Sequence, residues 1–162
     1  MKNYIWKYGI IGGLVSSFLG TLNWIVIAKP FGVSVSQTVG YLSILVSLLC
    51  IPFGVKYFRD KLNQGMVSLG QAFKIGLGIT SVAGIVMALH SYLFFTFQKE
   101  EFMKWQRSGL SEAELAAYNE QIAQSPDFVF TPWFQAIVMF LMVFLFGLVV
   151  NLISALILKK KG

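Results

Sequence analysis

Four stretches of this chain, residues 8–28, 38–58, 73–97 and 133–158, are almost free of charge, and polar or turn-forming residues interrupt them. Each is 21 to 26 residues long, and roughly 20 apolar residues carry an α-helix across a hydrocarbon core. None alternates with the period of two that a half-buried strand would need. The pattern predicts four transmembrane helices. Lys29-Pro30-Phe31-Gly32 ends the first, because Pro lacks a donor and Gly admits tight backbone angles. Val26-Ile27-Ala28 has a faint signal-peptidase look, but the apolar run exceeds the roughly 7–15 residues of a signal peptide, so a retained span is expected. Pro52 lies in the last third of the second stretch and predicts a kink there. Tyr92, Phe94, Phe95 and Phe97 close the third stretch with the aromatic belt of a membrane interface.

The long polar interval, residues 98–131, begins with Glu100 and Glu101 spaced to meet Lys104, which predicts a helical extension ending near Gly109. Ser111-Glu112-Ala113-Glu114 is a capping-box pattern, with Leu110 and Leu115 placed for its hydrophobic staple. A helix follows from Glu112 to about Gln124, where Ser125-Pro126 stops it, and Leu115, Tyr118 and Ile122 form a narrow apolar stripe along it. That stripe either covers its own bundle or docks another protein.

Composition sharpens the picture. Of 162 residues, 56% are hydrophobic and 12% charged, against roughly 25% charged in soluble domains. The net charge of +6 comes from cations flanking the apolar runs, not from a basic face suited to nucleic acid. Nine Lys and Arg lie at the N-terminus, the central turn and the C-terminus, against four in the other two loops. The positive-inside rule therefore puts both termini and the central turn in the cytoplasm. Six of the seven acids fall within 98–131, making an acidic extracytoplasmic loop. The expected fold is an all-α integral membrane protein, N-in and C-in. Residues 1–162 form one four-helix membrane domain, with a short amphipathic helix in the loop between spans 3 and 4.

Candidate chemistry is sparse. His90 is the sole histidine, in the outer half of the third span, and no carboxylate accompanies it in any span to build a relay or a metal site. Asn23 and Asn151 are the other strongly polar intramembrane residues, suited to interhelical hydrogen bonds. Lys56, Arg59, Asp60, Lys61 and Lys74 mark the central turn; they set topology and suit lipid headgroups, and Arg59-Asp60 suits a local ion pair. The lone Cys50 excludes an internal disulfide. No nucleophile–base pair, metal motif or phosphate-cradling loop is visible, so neither an enzyme nor a cofactor is expected. Ala72, Gly76, Thr80, Gly84 and Ala88 recur every fourth residue, as do Gly12, Ser16 and Gly20. Such ladders let helix backbones approach closely, and they suit packing within the bundle better than a dimer seam.

Gly54-Val55-Lys56-Tyr57-Phe58-Arg59-Asp60-Lys61, followed by Gly65, Ser68 and Ala72-Phe73-Lys74-Ile75-Gly76, resembles a bacterial membrane family catalogued as domain of unknown function 4199. Tyr8-Gly9, Gly40-Tyr41-Leu42 and the closing Leu152-Ile153-Ser154-Ala155-Leu156-Ile157-Leu158 extend the likeness over the whole chain. The resemblance implies a four-span inner-membrane protein of diderm bacteria with no assigned activity. It also implies an acidic residue and a proline in the fourth span, where this chain has Met142 and Leu145. The leading expectation is a non-enzymatic accessory or scaffold subunit acting through helix packing and its outer loop; the alternative is a small-molecule or ion transporter or channel. Partners are then membrane lipids, another membrane or periplasmic protein, or a second copy, and not nucleic acid.

Overall fold

A computed structural model describes residues 3–160; Lys2 and Lys161, both part of the charge count above, lie outside the described residues. These are helical almost throughout. Helix α1 covers Asn3–Leu22 and runs on through a π-helical segment, Asn23–Ala28. Helix α2, Lys29–Ser47, contains the non-helical Gly32 at φ 77° and ψ −176°. A Cβ there would meet nothing within 4 Å, so the backbone angle, not space, calls for glycine. Helix α3 is Cys50–Tyr57, followed by a π-helical segment Phe58–Leu62; α4 is Leu69–Arg107; α5 is Glu112–Gln124; a 3-10 turn, Asp127–Phe130, leads into α6, Pro132–Leu158.

Three helical stretches are long and apolar enough to cross a membrane: Asn3–Leu62, Leu69–Arg107 and Pro132–Leu158. The first has 60 residues, and drawn straight it would reach roughly 90 Å, three times a hydrocarbon core. Instead it folds back at Gly32. Asn23 donates to the Ser36 carbonyl, and a Cβ on Gly12 would meet the Cys50 thiol and the Ser47 carbonyl, so α1 lies antiparallel to α2 and α3. The kink expected near Pro52 falls at Leu48–Leu49, between α2 and α3. Pro52 offers no donor to the Leu48 carbonyl one turn back and its ring crowds that carbonyl, so the break sits N-terminal to the proline.

Helix α4 is the central rod. It packs most extensively against α6, antiparallel, and next against α1, parallel. Glycines let these backbones meet. A Cβ at Gly76 would overlap the Asn151 amide, one at Gly147 the Thr80 side chain, and ones at Gly9 and Gly13 the side chains of Val82 and Val86. One apolar cluster, including Leu48, Ile51, Val55, Ile79, Val143 and Ala155, joins α2, α3, α4 and α6. At the basic end of the bundle the chain closes on itself, as Val67 and Lys160 exchange two backbone hydrogen bonds of 2.9 Å.

The outer surface of the rods is as apolar as their interior. The most hydrophobic window of α6 is only 17% buried within the fold, and Ile157 is 74% exposed. In water such a surface would associate, whereas acyl chains would solvate it. With its 39 residues, α4 reaches roughly 58 Å, nearly twice the core thickness. Its charged last third, with Glu100, Glu101, Lys104 and Arg107, therefore stands clear of the apolar zone. The ion pairs expected between those glutamates and Lys104 do not form; Glu101 bonds Lys29 across the α1–α2 turn at 2.7 Å instead.

Candidate binding cavity

A cavity of about 360 Å³ lies between α1, α2, α4 and α6, at the end of the bundle remote from Lys160. No Asp, Glu, Lys or Arg lines it. Its floor and walls carry short polar groups: Ser16 and Asn23 from the first helical arm, Ser36, Gln37 and Ser43 from α2, His90 and Ser91 from α4, and Gln135 from α6. The π-helical segment opens at Asn23, and π-turns commonly mark functional positions because the extra residue re-aims its neighbours.

Most of these groups are partnered. His90 Nε2 lies 3.0 Å from Thr21 Oγ1. The Asn23 amide nitrogen donates to the Ser36 carbonyl at 2.9 Å, but its Oδ1 is buried with no partner, and so is the hydroxyl of Ser16, a residue 2% exposed. Buried polar atoms are normally hydrogen-bonded, and one left alone costs about 1–3 kcal/mol. Thr80 Oγ1 and Asn151 Oδ1, in the closed α4–α6 seam, are unpartnered in the same way.

Aromatic rings roof the cavity. Trp24 meets Phe94 edge-on at 5.3 Å and Trp105 at 5.4 Å, and Phe102 packs on Phe95 at 5.3 Å. Trp105 Nε1 donates to the Ala28 carbonyl at 2.7 Å. That carbonyl sits one turn before the Gly32 break. The α4 extension is thereby fastened across the α1–α2 turn.

A second cavity, about 340 Å³, lies beneath α5 and shares Phe95, Phe102, Gln106 and Gln135 with the first. Tyr118 and Ile122 line it, and Leu115 is half-buried on the same face. The Tyr118 hydroxyl donates to Gln106 Oε1 at 3.1 Å, and the Arg107 guanidinium lies 5.6 Å from the centre of its ring. The apolar stripe of α5 thus faces its own chain. The helix is held by its capping box: the Glu114 carboxylate accepts from the Ser111 hydroxyl at 2.7 Å and the Ser111 N–H at 2.8 Å.

The other candidate residues lie elsewhere. Asn151 is fully buried in the α4–α6 seam and donates to the Phe73 carbonyl at 2.9 Å, several turns from the cavity. Arg59 grips Asp60 through two bonds of 2.6 and 3.2 Å and reaches the Leu158 carbonyl at 3.5 Å. Lys56, Lys61 and Lys74 are exposed around that pair, at the opposite end of the bundle. The fold thus brings together Asn23 and His90 but not Asn151. No three His, Cys, Asp or Glu residues converge among the described residues. Sequence reading missed Ser16, Ser36, Ser43 and Gln135 as cavity residues; the signal for the α2 pair was the small-residue run Ser36, Gly40, Ser43 and Ser47 on one helical face.

Neither a curated protein nor a solved structure matches the chain. The family model described as protein of unknown function (DUF4199) matches residues 7–160, and the chain belongs to that family.

Proposed function

We propose that this chain crosses a bacterial cytoplasmic membrane four times, with both termini and the basic end inside, and holds a small uncharged molecule in the cavity of its outer half. It acts as a binding or carrier protein and not as an enzyme. The observation that carries this reading is the charge-free lining of the 360 Å³ cavity, a volume within the roughly 300–1,000 Å³ of small-molecule sites. Mostly apolar walls with a few convergent polar atoms suit a neutral ligand with a polar tip. An ion would find no countercharge there, which weighs against an ion channel. The fold-back at Gly32 supports the count of four crossings, since each arm then has the length of one span.

The accessory-subunit reading works through helix packing and the outer loop, in which Leu115, Tyr118 and Ile122 were the candidate docking stripe. Those three side chains are half-buried toward α4, so within the loop the support for that reading is the exposed polar face of α5.

The test uses Gly40, where an added Cβ would meet only Asn23 Nδ2, at 3.7 Å. Gly40→Leu adds bulk to the cavity wall from a position whose Cβ meets no backbone within 4 Å. Protein purified in mild detergent is expected to retain an uncharged small molecule, seen by native mass spectrometry, that Gly40→Leu loses while keeping its helix content and elution volume. Wild type and variant with identical small-molecule content would overturn the reading.

A further inference from the structure

We infer that the second cavity, beneath α5, is a binding site for an amphipathic organic anion, with Lys99 as its charge partner. This is a different cavity from the uncharged one, so the inference holds or fails independently of the binding reading above.

Lys99 is unlike the other basic side chains. Every other described lysine is exposed, whereas Lys99 is half-buried. It stands on α4 with Phe95 one turn before it and Phe102, Met103 and Gln106 in the two turns after it, the row of that helix that lines the cavity. Arg59, the other Lys or Arg that is not exposed, has Asp60 against it. Among the described residues the ion pairs are Lys29–Glu101 and Arg59–Asp60, so Lys99 has no carboxylate of its own. Its surroundings make that notable. Six of the seven acids of the chain fall within 98–131, the stretch that builds most of this cavity, yet none of them lines it.

Taking an ammonium partly out of water without a countercharge is unfavourable, and an anion in the cavity supplies what the chain withholds. Gln106 offers a second donor beside it. Its Oε1 accepts from the Tyr118 hydroxyl at 3.1 Å, which leaves its NH2 group without a bond to the chain. Ser125 and Gln135, also in the lining, are committed to the carbonyls of Gln121 and Val129. Phe95, Phe102, Ile122, Val129 and Phe130 make the wall beside these donors apolar. One cation and one amide next to such a wall suit a singly charged oxyanion carried on an apolar ring or short chain. A bare inorganic anion would leave the apolar wall unfilled, and a neutral molecule would leave Lys99 uncompensated. The volume of about 340 Å³ lies within the roughly 300–1,000 Å³ of small-molecule sites. Helix α5 touches the rods only sparsely and is held down through Tyr118, by Gln106 and Arg107, so it lifts to admit a ligand at the loss of few contacts.

The probe is trifluoromethylphenylacetate, read by fluorine NMR against the protein in phosphatidylcholine nanodiscs, with empty nanodiscs as the blank. Saturable binding is expected, about tenfold tighter than for the uncharged amide of the same acid, weakened about tenfold in Lys99→Gln and retained in Lys99→Arg. Amide exchange in α5 is expected to slow when the acid is added to wild type, and not in Lys99→Gln. Equal binding of acid and amide, or equal binding of the acid by wild type and Lys99→Gln, overturns the anion assignment. No saturable binding of the acid overturns the site. Dihexanoylphosphatidylglycerol, a short-chain lipid with one anionic phosphate, then tells two sources of the anion apart: displacement of the acid assigns the site to a lipid headgroup, and failure to displace it assigns the site to a free organic acid.

Discussion

At the scale of single residues, the α4–α6 seam is the least forgiving place in the molecule. Asn151 is fixed by its bond to the Phe73 carbonyl, and its Oδ1 fills the space a Cβ on Gly76 would need. Gly76→Ala therefore forces the amide out of its bond or the helices apart, at about 1–3 kcal/mol. The expected outcome is a lower unfolding midpoint in a detergent-denaturation titration, partly restored by the double variant Gly76→Ala/Asn151→Ala, because the two changes share one contact. This pairing was half legible in the sequence. The four-residue recurrence of small side chains marked a close seam on α4, and Asn151 stood out as polar within an apolar run. Which glycine faced which polar group depends on the offset between two helices far apart in the chain, and local pattern carries no such offset. The same limit hid Ser16 and Gln135, whose role exists only where four helices converge.

At the scale of elements, turn chemistry and capping were readable because they are local. Gly32, the Ser111–Glu114 box and the stop at Ser125-Pro126 all follow from side chains within a few residues. Ser68 and Gln71 form the same reciprocal box at the start of α4, from a Ser-x-x-Gln pattern that was open to the same reading. The pairing of Glu101 with Lys29 was not readable, since two good partners within one helix lost to a cation brought close by tertiary structure. Helix α5 carries a pH dependence of its own. The Ser111 hydroxyl, and after it the Ser111 N–H, hold the Glu114 carboxyl below its ordinary range. A depressed folded pKa contributes stability that is complete above the ordinary carboxylate value, about 4.3, and is lost as pH falls through the lower folded value. Amide-exchange protection in the first turn of α5 is expected to be flat from neutral pH down to that range and to fall below it. Glu114→Gln keeps the reciprocal bonds and is expected to remove the pH dependence.

At the scale of the whole molecule, hydropathy alone delivered the rods, because lipid imposes one length and one chemistry on every crossing. Which rod packs against which, and the cavity between them, came from the fold. The proposed four crossings are tested by cysteine labelling in a Cys50→Ser background. Ser34→Cys and Glu120→Cys, both exposed, are expected to react with a membrane-impermeant maleimide applied outside, and Lys61→Cys only after permeabilisation. Labelling of Ser34→Cys from the cytoplasmic side would show that the first 60-residue stretch crosses once and not twice.

The dependence of α4 on α6 bears on how the protein is made. Synthesis runs from the N-terminus, so α4 reaches the membrane while its main partner is still inside the ribosome. For that interval the face bearing Ala72, Gly76, Thr80 and Gly84 meets lipid chains, which fill such a small and partly polar groove poorly. The cavity lacks a wall at the same stage, because Gln135, Met139 and Met142 arrive with the last helix. The nascent bundle thus presents an open small-residue groove until α6 covers it. The Val67–Lys160 clasp ties the segment just before α4 to the one just after α6, so it needs both helices in place.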